Sequence, residues 1–238
     1  MNRTEDEEKR AVGGAHAIDG GIAQSALESA ESYIARSPAA GRAVDGGWKA
    51  FSYAFQALLE WAEERGLIRQ ESDFPFFQRV PDGQGNEHEC WFDEASNRWL
   101  KATFPNRFGL AWGRDGTATA GEYLKRLILQ NKYFADDIQL VALVNCAERL
   151  RILISQPHVS GEPATCAEIS EWFVHLGFQC LQSDDRVAWY REKENLLVAD
   201  AHEGNVVKST GGILLPIDLN LVQPIGELLD WIKSATIR

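Results

Sequence analysis

The strongest constraint on how this chain folds is the order in which its hydrophobic period changes. Three short β-type runs come first: Phe74 to Val80, Glu89 to Phe92 and Arg98 to Thr103. Turn-rich stretches at Pro81–Gly85 and Asp93–Asn97 separate them, so the sequence predicts an antiparallel meander. A helix is predicted from Thr119. Thr119 and Glu122 have capping-box spacing, and Leu124, Leu127 and Ile128 give it one apolar face. Two further β-type runs follow, Ile138 to Asn145 and Leu150 to Ser155. Three strands, a helix and two strands predict a five-strand sheet carrying one helix.

The flanks read differently. Gln156 to Pro163, with two prolines and a glycine, predicts a connector. A second T-x-x-E box, Thr165 to Glu168, opens a helix with Ile169, Trp172, Phe173 and Leu176, which Gly177 ends. Val187–Tyr190 and Leu196–Ala199 predict strands, and Val206-Val207 with Ile213–Leu215 predicts a hairpin. A last helix spans Ile225 to Ser234. Upstream, residues 1–20 are polar and Gly-rich and predict a disordered tail. Helices are predicted at Ile22–Arg36 and Gly47–Arg65. In the second, Trp48, Phe51, Phe55, Leu58 and Ala62 recur at helical spacing and need something to pack against. The expected organisation is a tail (1–20), a helical extension (21–70), a first lobe (71–155) and a short second lobe (156–238). The expected class is a compact two-lobed α+β fold.

Charge and composition remove some functions. Lys and Arg number 24 against 35 Asp and Glu, a formal net charge of −11. Nucleic-acid binding is not expected, because it draws on a surplus of cations. A single nucleotide is different, since one basic group and a metal offset its phosphates. No apolar run approaches the ~20 residues that span a bilayer. The charged start has no apolar core of a secretory leader. The cysteines, Cys90, Cys146, Cys166 and Cys180, form no C-x-x-C pair and read as buried thiols of a reducing compartment, the cytoplasm.

Chemistry concentrates between Leu196 and Leu219. An apolar strand delivers Asp200 at its end, Asn205 follows at D-x-x-x-x-N spacing, and a hairpin returns the chain to Asp218. Asn205 and Asp218 offer hard oxygen ligands suited to Mg²⁺. Asp200 remains to accept a proton from an attacking hydroxyl. Phosphoryl transfer needs little more, because its catalysis is mostly positioning and charge neutralisation. The bland alternative, an Asx-rich turn beside a buried aspartate, explains the spacing less well.

Asp200-Ala-His202-Glu-Gly204-Asn205 resembles the D-x-H-x-G-N loop of small-molecule and atypical bacterial kinases such as aminoglycoside phosphotransferases, within the protein-kinase-like superfamily. More narrowly, Phe74 to Asn220 resembles the polyvalent protein kinases of bacteria and their mobile elements. The matching runs are Glu87–Glu94, Pro105–Gly109, Ser155–Pro157 and Ala199–Asn205. The resemblance implies a kinase-like fold with ATP and Mg²⁺ as cofactors. Asp200 would be the catalytic base, and Asn205 and Asp218 the metal ligands. Lys101 would contact the α/β-phosphates, oriented by Glu122. Gly83 and Gly85 would cover the phosphates, and the backbone near Gln156 would meet the adenine. The chain departs from the pattern in four places. Asp218 is followed by Leu219-Asn220 with no glycine, Val198-Ala199 precede Asp200 where the family has a His or Tyr two residues before it, Gly83-x-Gly85 lacks a third glycine, and only 20 residues follow Asp218. The expected function is phosphotransfer to a hydroxyl of a protein or small molecule. The alternatives are a pseudokinase, serving as a nucleotide-binding or interaction module of a mobile-element or defence system, and a nucleotidyl transferase.

Overall fold

A computed structural model describes residues 25–37, 48–109, 111, 118–146, 149–183 and 186–236, without the side chains of 48–52, 183, 186 and 236. The predicted tail at 1–20, the helix start at 22–24 and Gly47, where the second helix is predicted to begin, lie outside these residues. So do the side chains of Trp48 and Phe51. The described chain divides into two compact units. One runs through Ile128 and resumes at Asp137–His158; the other holds Leu129–Asp136 and everything from Val159 onward.

The first unit begins with helices α1 (Ala26–Arg36) and α2 (Trp48–Glu64). Ser25 caps α1 in a complete box with Glu28. The unit's sheet has six strands: β1 (Ile68–Gln70), β2 (Gly83–Gln84), β3 (His88–Asp93), β4 (Arg98–Thr103), β5 (Gln139–Cys146) and β6 (Arg149–Pro157). Their spatial order is β1-β5-β6-β4-β3-β2. β1 pairs with β5 in parallel, and all other pairs are antiparallel. Helix α3 (Ala120–Phe134) starts in this unit. One core joins α1, α2, α3 and the sheet through Leu27, Leu58, Trp61, Tyr123, Leu124, Ile152 and Ile154. The two N-terminal helices therefore have their packing partner.

The sheet's other face carries a second core of Trp91, Ala102, Val144 and Leu153, covered by Phe74, Phe76 and Phe77. Here the structure corrects the reading. Phe74–Val80 is not a strand: Glu71–Asp73 and Pro75–Gln78 are 3₁₀ turns. Pro75 has no N–H for a ladder and its fixed φ suits a helical start. The rings of Phe76 and Phe77 instead pack on Trp91 at 5.2 and 4.9 Å, with the Arg151 guanidinium over Phe77. The first meander strand is Gly83–Gln84, inside the predicted turn, and β1, which has no counterpart among the predicted strands, makes the sheet six strands rather than five.

The second unit has two sheets. β7 (Gly161–Pro163), β11 (Val206–Ser209) and β12 (Leu214–Pro216) form one, in the order β12-β11-β7. β8 (Gln179–Ser183), β9 (Arg186–Arg191), β10 (Leu196–Ala199) and β13 (Asn220–Val222) form the other, in the order β13-β10-β9-β8. Helix α4 (Cys166–His175) packs Ile169 and Phe173 against Trp189, Val198 and Leu221. Helix α5 (Gly226–Thr236) closes the described chain. The predicted connector at 156–163 is mostly strand, since β6 reaches Pro157 and β7 takes Gly161–Pro163. Cys166 and Cys180 are exposed and Cys90 and Cys146 half-buried, so the expectation of four buried thiols fails. Cys166 opens a helix and Cys180 lies on an edge strand.

Candidate active site

In the first unit, strand register lines up the predicted residues. Gly83 pairs with Cys90, Cys90 with Lys101, and Lys101 with Ile154. Directly opposed residues share a sheet face, so Lys101 and Gly83 share one. Trp99, two residues before Lys101, lies on the same face opposite Gln156. Gln156 is 3% exposed. The Trp99 indole donates to His158 Nδ1 at 3.0 Å. Helix α3 covers this face further along, where His88 Nε2 and Tyr123 Oη are 2.8 Å apart.

Glu122 stands at the start of α3. Its carboxylate accepts the Thr119 N–H at 2.7 Å, and Thr119 Oγ1 accepts the Glu122 N–H at 3.2 Å. The predicted capping box is present. Gly85 donates its N–H to His88 O at 3.0 Å, closing the β2–β3 turn. A Cβ would meet nothing within 4 Å at Gly85, and only Cys90 Cβ at 4.0 Å at Gly83. Packing does not demand glycine at either place.

In the second unit the predicted residues come together. β10 pairs with β13, setting Ala199 opposite Asn220, and so holds the segments bearing Asp200 and Asp218 side by side. Asp200 then turns into the left-handed region at φ 61°. Its carbonyl accepts the His202 N–H at 3.2 Å and the Asn205 Nδ2 at 2.9 Å. Asn205 donates its own N–H to His202 O at 2.8 Å and accepts the Ile217 N–H at 2.9 Å. The residue before Asp218 is thus tied to the Asn205 backbone. His202 Nδ1 accepts the Gly204 N–H at 3.0 Å, so the neutral ring carries its proton on Nε2, 3.4 Å from Asp200 Oδ1. A Cβ at Gly204 would stand 3.0 Å from that ring, which favours glycine there. The Asp200 side chain is 60% exposed and open to a substrate.

Two features of this site have no counterpart in the sequence reading. Gln130 on α3 is 2% exposed and accepts the Leu219 N–H at 3.3 Å. Its signal was available, because residue 130 continues the stripe of Leu127 and Phe134, where a polar side chain is out of place. Helix α4 also braces the loop. Cys166 N–H donates to Glu203 at 3.2 Å, and Lys208 Nζ lies 2.7 Å from Glu168. That lysine, with the Thr165 N–H and hydroxyl, holds the Glu168 carboxyl down at about 2. The same contact raises the Lys208 ammonium above its ordinary value.

Among the described residues, no group of three or more His, Cys, Asp or Glu is placed to hold a metal unaided. The donor set fits a metal–nucleotide better than a bare ion. Mg²⁺ keeps waters and phosphate oxygens and takes one or two protein oxygens. Asn205 Nδ2 must be the donor toward the Asp200 carbonyl, which leaves Oδ1 as the atom for a cation. Asp218 supplies a carboxylate nearby in the chain path, through the Ile217–Asn205 bond.

An aspartate at a strand end, an amide bonded to its backbone carbonyl and a second carboxylate just before the neighbouring strand are groups of the kind that phosphotransfer chemistry uses. The profile of a family described as a Serine/Threonine/Tyrosine Kinase found in polyvalent proteins matches residues 54–222. The chain belongs to that kinase family. No curated protein and no solved structure matches it. Among the described residues, no helix is long and apolar enough to cross a membrane.

Proposed function

We propose that the protein is an ATP- and Mg²⁺-dependent phosphotransferase acting on a hydroxyl of a protein or small molecule. One observation carries most of this reading. The chain spends left-handed backbone at Asp200 and ties that residue through Asn205 to the stretch bearing Asp218. A non-glycine residue at positive φ persists where surrounding structure enforces it, and such strain clusters at functional sites. In this reading Asp200 accepts the hydroxyl proton. His202 Nε2–H fixes the rotamer of Asp200, while Asn205 and Asp218 hold the cation. That ion would neutralise phosphate charge when bound. Lys101 binds phosphate from its strand, Glu122 orients it, and Gly83 and Gly85 lie over the phosphates. The backbone near Gln156 receives the adenine. The first lobe of this reading is 71–155 and the second 156–238, and the protein works in the cytoplasm.

A second reading, a pseudokinase, is favoured by Asn220, which stands in a strand where the family's Asp-x-Gly element has its glycine. The deciding experiment is autophosphorylation with labelled ATP, with intact mass as a check. Phosphate adds about 80 Da. Label in the wild type that disappears in Asp200→Asn and Asp218→Asn supports the enzyme. Wild type that binds MgATP but consumes none with any acceptor supports the pseudokinase.

A further inference from the structure

Asp218 is held from both sides by backbone donors. The Ile217 N–H before it goes to Asn205 O at 2.9 Å, and the Leu219 N–H after it goes to Gln130 Oε1 at 3.3 Å. Gln130 is in turn fixed by its other end, where Nε2 donates to Asp136 Oδ2 at 2.9 Å. All these residues belong to one compact unit. Leu219 is buried in the core with Leu129 and Phe134, so water is not on hand to satisfy its N–H. A polar side chain 2% exposed in an apolar stripe is costly unless both its ends are used, and both are. The family pattern has glycine, whose backbone turns freely, two residues after this aspartate. Here Asn220 stands at that place, paired with Ala199 in the sheet, and a glutamine on the Leu219 amide restrains the residue between them.

We propose that Gln130 is a positioning residue that holds the Asp218 carboxylate ready for the metal–nucleotide. This rests on the reading of Asp218 as a metal ligand. Gln130 touches neither substrate nor metal; it acts through the Leu219 amide. Helix α3 thereby does two jobs. Its start carries the Glu122 capping box, and its last turns carry the anchor of the metal-binding strand entry.

The test is Mn²⁺ titrated into the full chain with a saturating nonhydrolysable ATP analogue, read by the paramagnetic signal of free Mn²⁺. Nucleotide binding in EDTA serves as the metal-independent reference. Gln130→Met keeps length but has no acceptor for the Leu219 N–H. It should weaken Mn²⁺ binding about tenfold and leave nucleotide binding in EDTA unchanged. Gln130→Glu restores an acceptor oxygen, and its second oxygen, protonated against Asp136, donates as the amide does. Its Mn²⁺ midpoint should return to within about threefold of wild type. It also carries the test if Gln130→Met does not fold, with Asp218→Asn as the weak-binding reference. Met and Glu variants that bind Mn²⁺ like wild type, or that are weakened equally, overturn the proposal. If wild type binds no Mn²⁺ with the nucleotide, or Asp218→Asn binds it undiminished, the metal reading of Asp218 falls and this proposal falls with it. The Asp218→Asn arm tells the two failures apart.

Discussion

The candidate residues of the two units stand on very different backbone. Lys101, Gly83 and Gln156 lie on regular strands, where ladder register fixes their direction, and Glu122 closes an ordinary helix cap. Each of these four has a structural reason to be where it is. Asp200, Asn205 and Asp218 lie where the ladder ends. Asp200 has φ 61°, Asn205 spends its amide on a backbone carbonyl, and Asp218 is gripped through both neighbours. Irregular backbone on a rigid support is where binding and catalytic groups concentrate. In the proposed reading the sheet supplies stability and direction, and the loop carries the chemistry at some cost in conformational energy.

The largest effect that could break this contrast is on the scaffold side. Trp91→Ala empties a position 2% exposed, against which Phe76, Phe77 and Arg151 pack. It should cost about 3–5 kcal/mol of unfolding free energy, measured by denaturant melts. A loss under about 1 kcal/mol would mean the aromatic cover is not part of the folded core. A smaller effect of opposite sign is expected in the loop. Asp200→Gly removes the proton acceptor but also relieves left-handed backbone, so it should abolish turnover and raise stability by about 0.5–1 kcal/mol. If the variant melts lower than wild type, the loop stores no strain and the backbones of the two regions differ less than the φ of Asp200 implies.

The smallest effect tests how α4 holds the loop. Glu168 is held down at about 2, first by the Lys208 ammonium and then by Thr165, well below its ordinary 4.5. A carboxyl with a depressed folded value adds stability above its unfolded value and loses it as pH falls through the folded one. The melting difference between wild type and Lys208→Met should therefore be full at pH 6, shrink below about pH 4.5 and vanish near pH 2. A difference independent of pH would point to packing of the lysine stem instead.

Legibility followed the same divide. Period and caps revealed α3, α4, β3, β4, β5 and the β11–β12 hairpin, because each is long enough for its pattern to repeat or carries its own cap. The loop's candidates, Asp200, Asn205 and Asp218, stand out by residue type and spacing, and the paired strands hold their segments side by side. Phe74–Val80 misled because three phenylalanines in four residues look β-like while Pro75 and Trp91 decide the backbone. β1, β2 and β13 span two or three residues each, too short for any period, and exist only through their ladder partners. Gln130 is marked in the sequence only by its place in the apolar stripe of Leu127 and Phe134, which points to burial and not to a partner. Only the distant Leu219 amide, far along the chain, gives it a purpose.

The segment Leu129–Asp136 has a genetic consequence. It belongs with the residues from Val159 onward, while the residues on either side of it belong to the other unit, so among the described residues the polypeptide passes between the units three times. No single breakpoint divides the gene into two self-sufficient halves. A fragment ending at His158 would carry Phe134 without the Phe173 and Trp189 it packs among, and the complementary fragment would lack Leu129, Gln130 and Phe134. Recombination that shuffles neighbouring modules can therefore move this fold only as a whole.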